Sequence, residues 1–240
     1  MSNTGMKLDK LRALRDEVPV VELPIPTEEL LQRYETLYTG AVSDVLREMT
    51  LVDQCLPHTI MPLRDDMKVA GIAFTIRSNV DPTTSGEMET RANMLGKMHD
   101  HDVVIWNANG EDGAAHWGEV MTATSKSRGC RGAIIDGGIR DTVQVLAQNF
   151  PIWYRYRTPN GSLARCKMTG YQVPIRVGDV IVRPGDVVFA DIDGVVIIPR
   201  IHAYDVLMRA EEIRSGEKEI RQWVDDGVSA EEIVDRGGYF

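Results

Sequence analysis

The sequence predicts an α/β fold with a parallel βαβ core followed by a β-rich half, and three observations lead there. Residues 102–108 (Asp-Val-Val-Ile-Trp-Asn-Ala) and 132–136 (Gly-Ala-Ile-Ile-Asp) are short, β-branched runs suited to buried strands. Between them, Trp117, Val120, Met121 and Thr124 recur at helical spacing across 115–128. Strand, helix and strand at this separation give a parallel pair joined by a right-handed crossover. Beyond residue 171 the pattern changes: short apolar runs at 172–176, 180–182, 186–190 and 195–198 are punctuated by Gly178-Asp179, Pro184-Gly185 and Asp193-Gly194 turns.

The other elements follow in order. Residues 1–26 read as an N-terminal arm: Leu8, Leu11 and Leu14 form a short amphipathic stretch, and prolines at 19, 24 and 26 favour extended backbone. Thr27-Glu28-Glu29 opens a helix carrying Leu30, Leu31 and Tyr34. Gly40 breaks it, and 41–49 forms a second helix. Strands are expected at 58–61 and 69–76, a helix at 87–98, a short helix at 142–149 and a strand at 151–156. A long, charged helix over 204–226 has few apolar positions, so it should rest against something outside its own core. The chain therefore divides into an arm (1–26), an α/β catalytic domain (27–202) and a C-terminal helical extension (203–240).

Composition narrows the function. The 240 residues suffice for a sizeable core. The 27 basic and 36 acidic residues give a net charge of −9, which argues against a general nucleic-acid binder. No apolar run approaches a membrane span, and the N-terminus lacks a secretory pattern. Three cysteines, at 55, 130 and 166, are unsuited to a disulfide framework or a C-x-x-C zinc motif, so a reducing cytoplasmic setting is expected.

The most informative stretch is 129–141, Gly-Cys-Arg-Gly-Ala-Ile-Ile-Asp-Gly-Gly-Ile-Arg-Asp. A strand runs into Gly137-Gly138, read as a turn, which delivers Arg140 and Asp141 side by side. The strand's carboxyl edge is where open α/β sheets bind ligands. A guanidinium beside a carboxylate suits a small anionic substrate held on a divalent cation.

Trp117-Gly-Glu119, Arg128-Gly, the 132–141 segment, Phe150-Pro-Ile and 182–199 (Val-Arg-Pro-Gly-Asp-Val-Val-Phe-Ala-Asp-Ile-Asp-Gly-Val-Val-Ile-Ile-Pro) together resemble one family. It is the 4-hydroxy-4-methyl-2-oxoglutarate/4-carboxy-4-hydroxy-2-oxoadipate aldolase family, related to the regulator of ribonuclease activity A. The resemblance extends from about residue 39 to 226. It implies a swivelling β/β/α fold of the phosphohistidine-domain-like type and a homotrimer or homohexamer with active sites between subunits.

By the same resemblance Asp141 is the metal ligand for Mg²⁺ or Mn²⁺, and Arg140 contacts a 2-oxo acid substrate. Glu119 governs a catalytic water, while Gly118, Glu119, Val120 and Met121 offer backbone N–H groups to a substrate carboxylate. A second acid, Glu217 with Glu219 as fallback, comes from a neighbouring subunit's C-terminal helix. Gln144 stands where the family usually carries an acid, which removes a negative charge. The implied activity is a metal-dependent retro-aldol cleavage giving pyruvate, with oxaloacetate decarboxylation beside it. The absence of lysine from the site loops argues against Schiff-base chemistry. Two other readings stay open: a non-catalytic regulator that binds an RNA-degradation enzyme, and a lyase or hydratase acting on a 2-keto sugar acid.

Overall fold

The structure, a computed structural model, describes residues 21–239 and, ahead of them, Asp9. The expected amphipathic stretch at Leu8, Leu11 and Leu14 lies outside the described residues. The elements in chain order are α1 (Thr27–Glu35), α2 (Thr39–Glu48), β1 (Met61–Pro62), β2 (Val69–Val80), α3 (Glu87–Leu95), β3 (Asp102–Asn107), β4 (Ala115–Trp117) and α4 (Glu119–Ser127). They continue with β5 (Gly132–Ile139), α5 (Thr142–Ala147), β6 (Ile152–Arg157), β7 (Cys166–Tyr171), β8 (Ile175–Val177), β9 (Val180–Val182), β10 (Val187–Asp191) and β11 (Gly194–Ile198). A 3₁₀ turn (Arg200–His202), α6 (Ala203–Asp225) and α7 (Ala230–Asp235) complete the chain.

The fold is mixed α/β around a nearly closed, barrel-like sheet. Nine strands form it in the order β1-β6-β5-β3-β2-β10-β11, with β4 paired to β5 and β7 to β2. The pairs β2–β3, β3–β5 and β5–β6 are parallel, and β3–α4–β5 is the crossover that the sequence predicts. Strands β3 and β5 are buried along their whole length, which explains their uninterrupted apolar runs. The β-rich half closes the sheet through antiparallel β10, which lies between β2 and β11.

Two apolar clusters hold the layers. The larger lies within and beneath the sheet and includes Trp106, Trp117, Trp153, Phe74, Ile134 and Ile135. The smaller joins α1, α2 and the first half of α6 to the outer face of β10 and β11, through Leu30, Tyr34, Val45, Phe189 and Leu207. Arg33 of α1 grips Glu211 of α6 bidentately, at 2.9 and 2.5 Å. The long C-terminal helix therefore does have a packed half, over Ala203, Val206, Leu207, Ala210 and Ile213. Beyond Ile213 none of its side chains is buried.

Four local expectations change. Gly137-Gly138 is not a turn, because β5 continues through both to Ile139, with a register shift against β6 between Ile135 and Gly138. The glycines are needed for close packing. A Cβ at 137 would lie 2.9 Å from the Ala108 side chain, and one at 138 would lie 2.6 Å from the Ala114 carbonyl and 2.5 Å from the Tyr156 ring. The helix expected from 115 starts at Glu119, since 115–117 pairs in parallel with β5 instead. The strand expected at 58–61 is reduced to Met61–Pro62, and the run at 172–176 resolves into the end of β7's loop and β8.

Candidate active site

Arg140 and Asp141 emerge at the carboxyl end of β5, where the strand stops and α5 begins. Asp141 occupies the N-cap position of α5, with a left-handed backbone (φ 55°), a conformation that few non-glycine residues adopt and that concentrates at functional sites. Its side chain makes no capping hydrogen bond to α5. The carboxylate turns instead toward the start of α4: Oδ2 accepts from the Glu119 N–H at 3.3 Å and lies 3.5 Å from Arg140 Nε. Both side chains are about half exposed, so the pair is open to a ligand rather than sealed as a structural ion pair.

A cavity of about 340 Å³ opens onto this pair. Arg140, Asp141, Gly118, Val120 and Met121 all line it, so the structure brings together five of the residues singled out from the sequence. Glycine at 118 is a steric requirement: a Cβ there would lie 2.6 Å from Asp141 Oδ2 and 3.2 Å from Arg140 Cγ. Gly161 has the same role opposite, where a Cβ would come within 2.9 Å of Arg140 Nη1. Glu119, the first residue of α4, is exposed and contributes its backbone N–H to Asp141, while its carboxylate is not part of the lining. Gln144 is exposed on α5 and also lies outside the lining.

Glu217 and Glu219 do not reach this cavity within one chain. They sit in the outer half of α6, where Glu217 faces Tyr38 and adds to the rise that burial imposes on the phenol's pKa.

Sequence reasoning missed the far wall. Arg91 projects from α3 into the cavity, its Nε bonded to the fully buried Glu87 at 2.7 Å and Nη2 to Ser162 Oγ at 2.6 Å. Its guanidinium also lies over the Trp106 ring, 5.3 Å from the centroid. Arg140 and Arg91 thus flank consecutive residues, Gly161 and Ser162, and two cations face one small space. Met88 and Leu163 add apolar surface. None of these carries a local motif that would have announced it.

His116 is a buried β4 residue in the wall of the cavity, where the sequence reads as the start of a helix. Burial lowers its pKa to about 4, so it is neutral near pH 7. Its Nε2 lies 3.2 Å from Cys166 Sγ and 3.8 Å from Glu111 Oε2, and its Nδ1 has no partner among the described residues. Cys130 is buried in the core, as its position before a strand suggests.

A larger cavity, about 760 Å³, lies at the barrel mouth among Arg77, Arg155, Arg176 and Arg183, away from the predicted residues.

Residues 39–197 match the family model described as RraA-like, Aldolase/RraA. The chain belongs to this RraA-like family. Among curated relatives it is 31% identical over 205 residues to a "Putative 4-hydroxy-4-methyl-2-oxoglutarate aldolase" of Halalkalibacterium halodurans, covering 84% of this chain and 91% of that protein. It is 27% identical over 203 residues to protein DlpA of Legionella pneumophila, but spans only 33% of that longer protein. Of solved structures, one titled as novel cellulases from microbes of the gut ecosystem shares 50% identity and a TM-score of 0.87, covering 89% of this chain and 96% of that one. Streptomyces coelicolor RraAS2, titled an unusual member of the RNase ES inhibitor RraA protein family, shares 26% identity and a TM-score of 0.75, over 82% of this chain and 99% of that one. No helix among the described residues is long and apolar enough to cross a membrane.

Proposed function

We propose that this RraA-like protein is a divalent-metal-dependent lyase that cleaves a small 4-hydroxy-2-oxo acid to pyruvate, and that the same site decarboxylates oxaloacetate. The observation that carries the reading is the paired Arg140 and Asp141 on a small cavity whose glycines at 118 and 161 leave room for those two side chains. At about 340 Å³ the space sits at the lower end of ligand pockets, which span roughly 300–1,000 Å³.

The residues fit a hard cation. Asp141 offers a carboxylate whose Oδ1 has no hydrogen-bond or ion-pair partner among the described residues, and the open cavity leaves space for the waters that Mg²⁺ or Mn²⁺ retains. When bound there, such an ion supplies Lewis acidity toward the substrate's ketone oxygen. The chain's own groups do the rest. Arg140's planar fork holds the carboxylate of the 2-oxo acid and balances charge that develops on the ketone oxygen. The first N–H groups of α4, at Val120 and Met121, receive a carboxylate as helix beginnings do. A water held by Glu119 takes the C4-hydroxyl proton as the C3–C4 bond breaks, and the bonding pair leaves as pyruvate enolate, which is protonated at C3. In oxaloacetate the same electron flow releases CO₂.

Glu217 then belongs to a neighbour's site in a homotrimer or homohexamer. This is supported by Met88, Val120, Val143 and Leu163, apolar side chains 48–76% exposed on the cavity rim and the adjoining α5. A glycan-cleaving role carried over from the cellulase neighbour fits the site poorly. Canonical glycoside hydrolysis needs two carboxylates flanking the bond, and Asp141 is the one acid in this cavity's lining. The regulator reading, which the RraA neighbours bring, requires no cavity chemistry.

Pyruvate release from oxaloacetate and from 4-hydroxy-4-methyl-2-oxoglutarate, with Mg²⁺ and then with EDTA, tests the proposal. Metal-dependent release is expected, abolished in Asp141→Ala and reduced at least about 10²-fold in Arg140→Lys, whose ammonium lacks the fork. Release in neither condition, from a folded protein, would favour the regulator.

A further inference from the structure

At the cavity wall, which includes His116, three potential metal ligands converge from three separate segments. Glu111 comes from the loop after β3, His116 from β4 and Cys166 from the start of β7. Their ligand atoms all lie within 4.8 Å of one another. His116 and Cys166 are buried, and the Glu111 side chain is 9% exposed.

The spacing is close to what a tetrahedral ion demands. With metal–sulfur near 2.3 Å and metal–nitrogen or –oxygen near 2.05 Å, the sulfur–nitrogen edge is about 3.6 Å and the nitrogen–oxygen edge about 3.3 Å. Nε2 of His116 lies 3.2 Å from Cys166 Sγ and 3.8 Å from Glu111 Oε2, so these two edges need adjustments of about half an ångström, and the sulfur–oxygen edge, within 4.8 Å, closes by at most about 1.2 Å.

A plain Cys–His hydrogen bond accounts for one of these edges only. It does not explain why a carboxylate is held facing them in a buried space. Glu111 is fixed there: Oε1 accepts from the Gly113 N–H at 2.9 Å and Oε2 from the Ala114 N–H at 3.0 Å. Each oxygen keeps a lone pair, and backbone donors of this kind orient a ligating carboxylate. The Tyr156 hydroxyl, donating to the Glu111 and Ala114 carbonyls at 3.1 Å, steadies the loop itself. The His116 ring is confined between Trp106, 5.9 Å between centroids, and Gly137, where a Cβ would come within 3.0 Å of Nδ1.

We propose that Glu111, His116 and Cys166 form a second metal site, for a borderline ion such as Zn²⁺, separate from the hard-cation position at Asp141. The thiolate and imidazole select Zn²⁺, Co²⁺ or Fe²⁺ over Mg²⁺ or Ca²⁺. Binding forms the metal–sulfur bond and releases the Cys166 thiol proton to solvent. Thiolate and carboxylate then carry two negative charges against a dication, so the buried unit is neutral. Nearby Arg91 and Glu87 already neutralise each other. The ion acts as a clamp. It ties the 108–114 loop, β4 and β7 together behind Gly118, Gly161 and Ser162, the residues that seat Arg140 and Arg91.

The test uses full-length protein stripped of metal and titrated with Co²⁺. A thiolate-to-cobalt charge-transfer band in the near ultraviolet should saturate at one equivalent, and Zn²⁺ should displace it and raise Tm. The band should persist in Asp141→Ala, vanish in Cys166→Ser, and require at least about ten-fold more Co²⁺ in Glu111→Gln. No band in the parent protein, or one that survives Cys166→Ser, overturns the proposal. Should Cys166→Ser fail to fold, X-ray absorption of the Zn²⁺-loaded parent decides: one sulfur near 2.3 Å supports the site, and a shell of nitrogen and oxygen alone refutes it. Because Asp141→Ala tests the lyase and leaves the cobalt band, the two readings fail separately.

Discussion

Gly118→Ala is the sharpest probe of how the site is held. Gly118 has an extended backbone, φ −170°, so alanine brings no conformational strain there. The cost is purely steric. Its Cβ would lie 2.6 Å from Asp141 Oδ2, and ordinary contact begins at 3.4 Å, so the carboxylate must retreat by about 0.8 Å. Because that side chain is half exposed, it can swing away, and the stability loss should stay at about 1 kcal/mol, the low end of overpacking penalties. Activity is a different matter. A shift near 1 Å in a positioned group costs on the order of 10²-fold, and this one also breaks the contact with the Glu119 N–H. The expected outcome is a kcat/KM for pyruvate release down about 10²-fold, weaker Mn²⁺ binding by calorimetry, and a Tm within a few degrees of the parent. Parental kcat/KM and parental Mn²⁺ affinity together would refute the placement of the Asp141 carboxylate against Gly118. A collapse in Tm would show that the position is structural.

Two further predictions address the scaffold. Asp102, buried at the start of β3, has its pKa raised to about 6, chiefly by burial, against the His99 N–H bond that lowers it. A carboxyl with a raised folded pKa favours the native state fully below about 3.8, and that contribution is lost as pH climbs through about 6. Asp102→Asn keeps an acceptor for the His99 N–H, so it should gain up to about 3 kcal/mol at pH 7 and flatten the stability profile between pH 4 and 6 in urea melts. An unchanged profile would count against it. Arg91→Met strands the fully buried Glu87 carboxylate, which keeps only the Met168 N–H, and should cost about 3–5 kcal/mol. The double variant with Glu87→Gln should recover most of that loss, and additive penalties in denaturant melts would deny the coupling.

The parts of the molecule legible in the sequence are those where one physical requirement leaves one pattern. Buried parallel strands need unbroken β-branched runs, so β3, β5 and the crossover between them could be read directly. Arg140 and Asp141 were legible because polar residues right after such a run must lie at the sheet's ligand-binding edge. Ambiguity entered wherever one residue type serves two ends. Glycines at 137 and 138 permit a turn, yet they equally permit the close approach of Ala108, Ala114 and Tyr156, and the second use is the real one. Ala-Ala-His-Trp at 114–117 suits a helix start as well as a short buried strand, and pairing with β5 decided it. In β7, Cys166 and Met168 are buried while Lys167 and Thr169 face outward, an alternation present in the sequence but interrupted by Gly170.

The far wall of the cavity could not be read at all. Arg91, Gly161 and Ser162 are 50, 20 and 21 positions from Asp141 and meet it only because α3 and the loop before β7 fold over the same edge. The same holds for Glu111, His116 and Cys166, whose separations match no local metal motif. Local chemistry placed one guanidinium and one carboxylate. Tertiary closure added a second guanidinium, paired with its own buried counter-ion, so the cavity has an edge of two guanidinium donors facing whatever enters. An anion is the ligand such an edge selects, and the Asp141 carboxylate beside it then makes sense as the anchor for a cation that the anion shares.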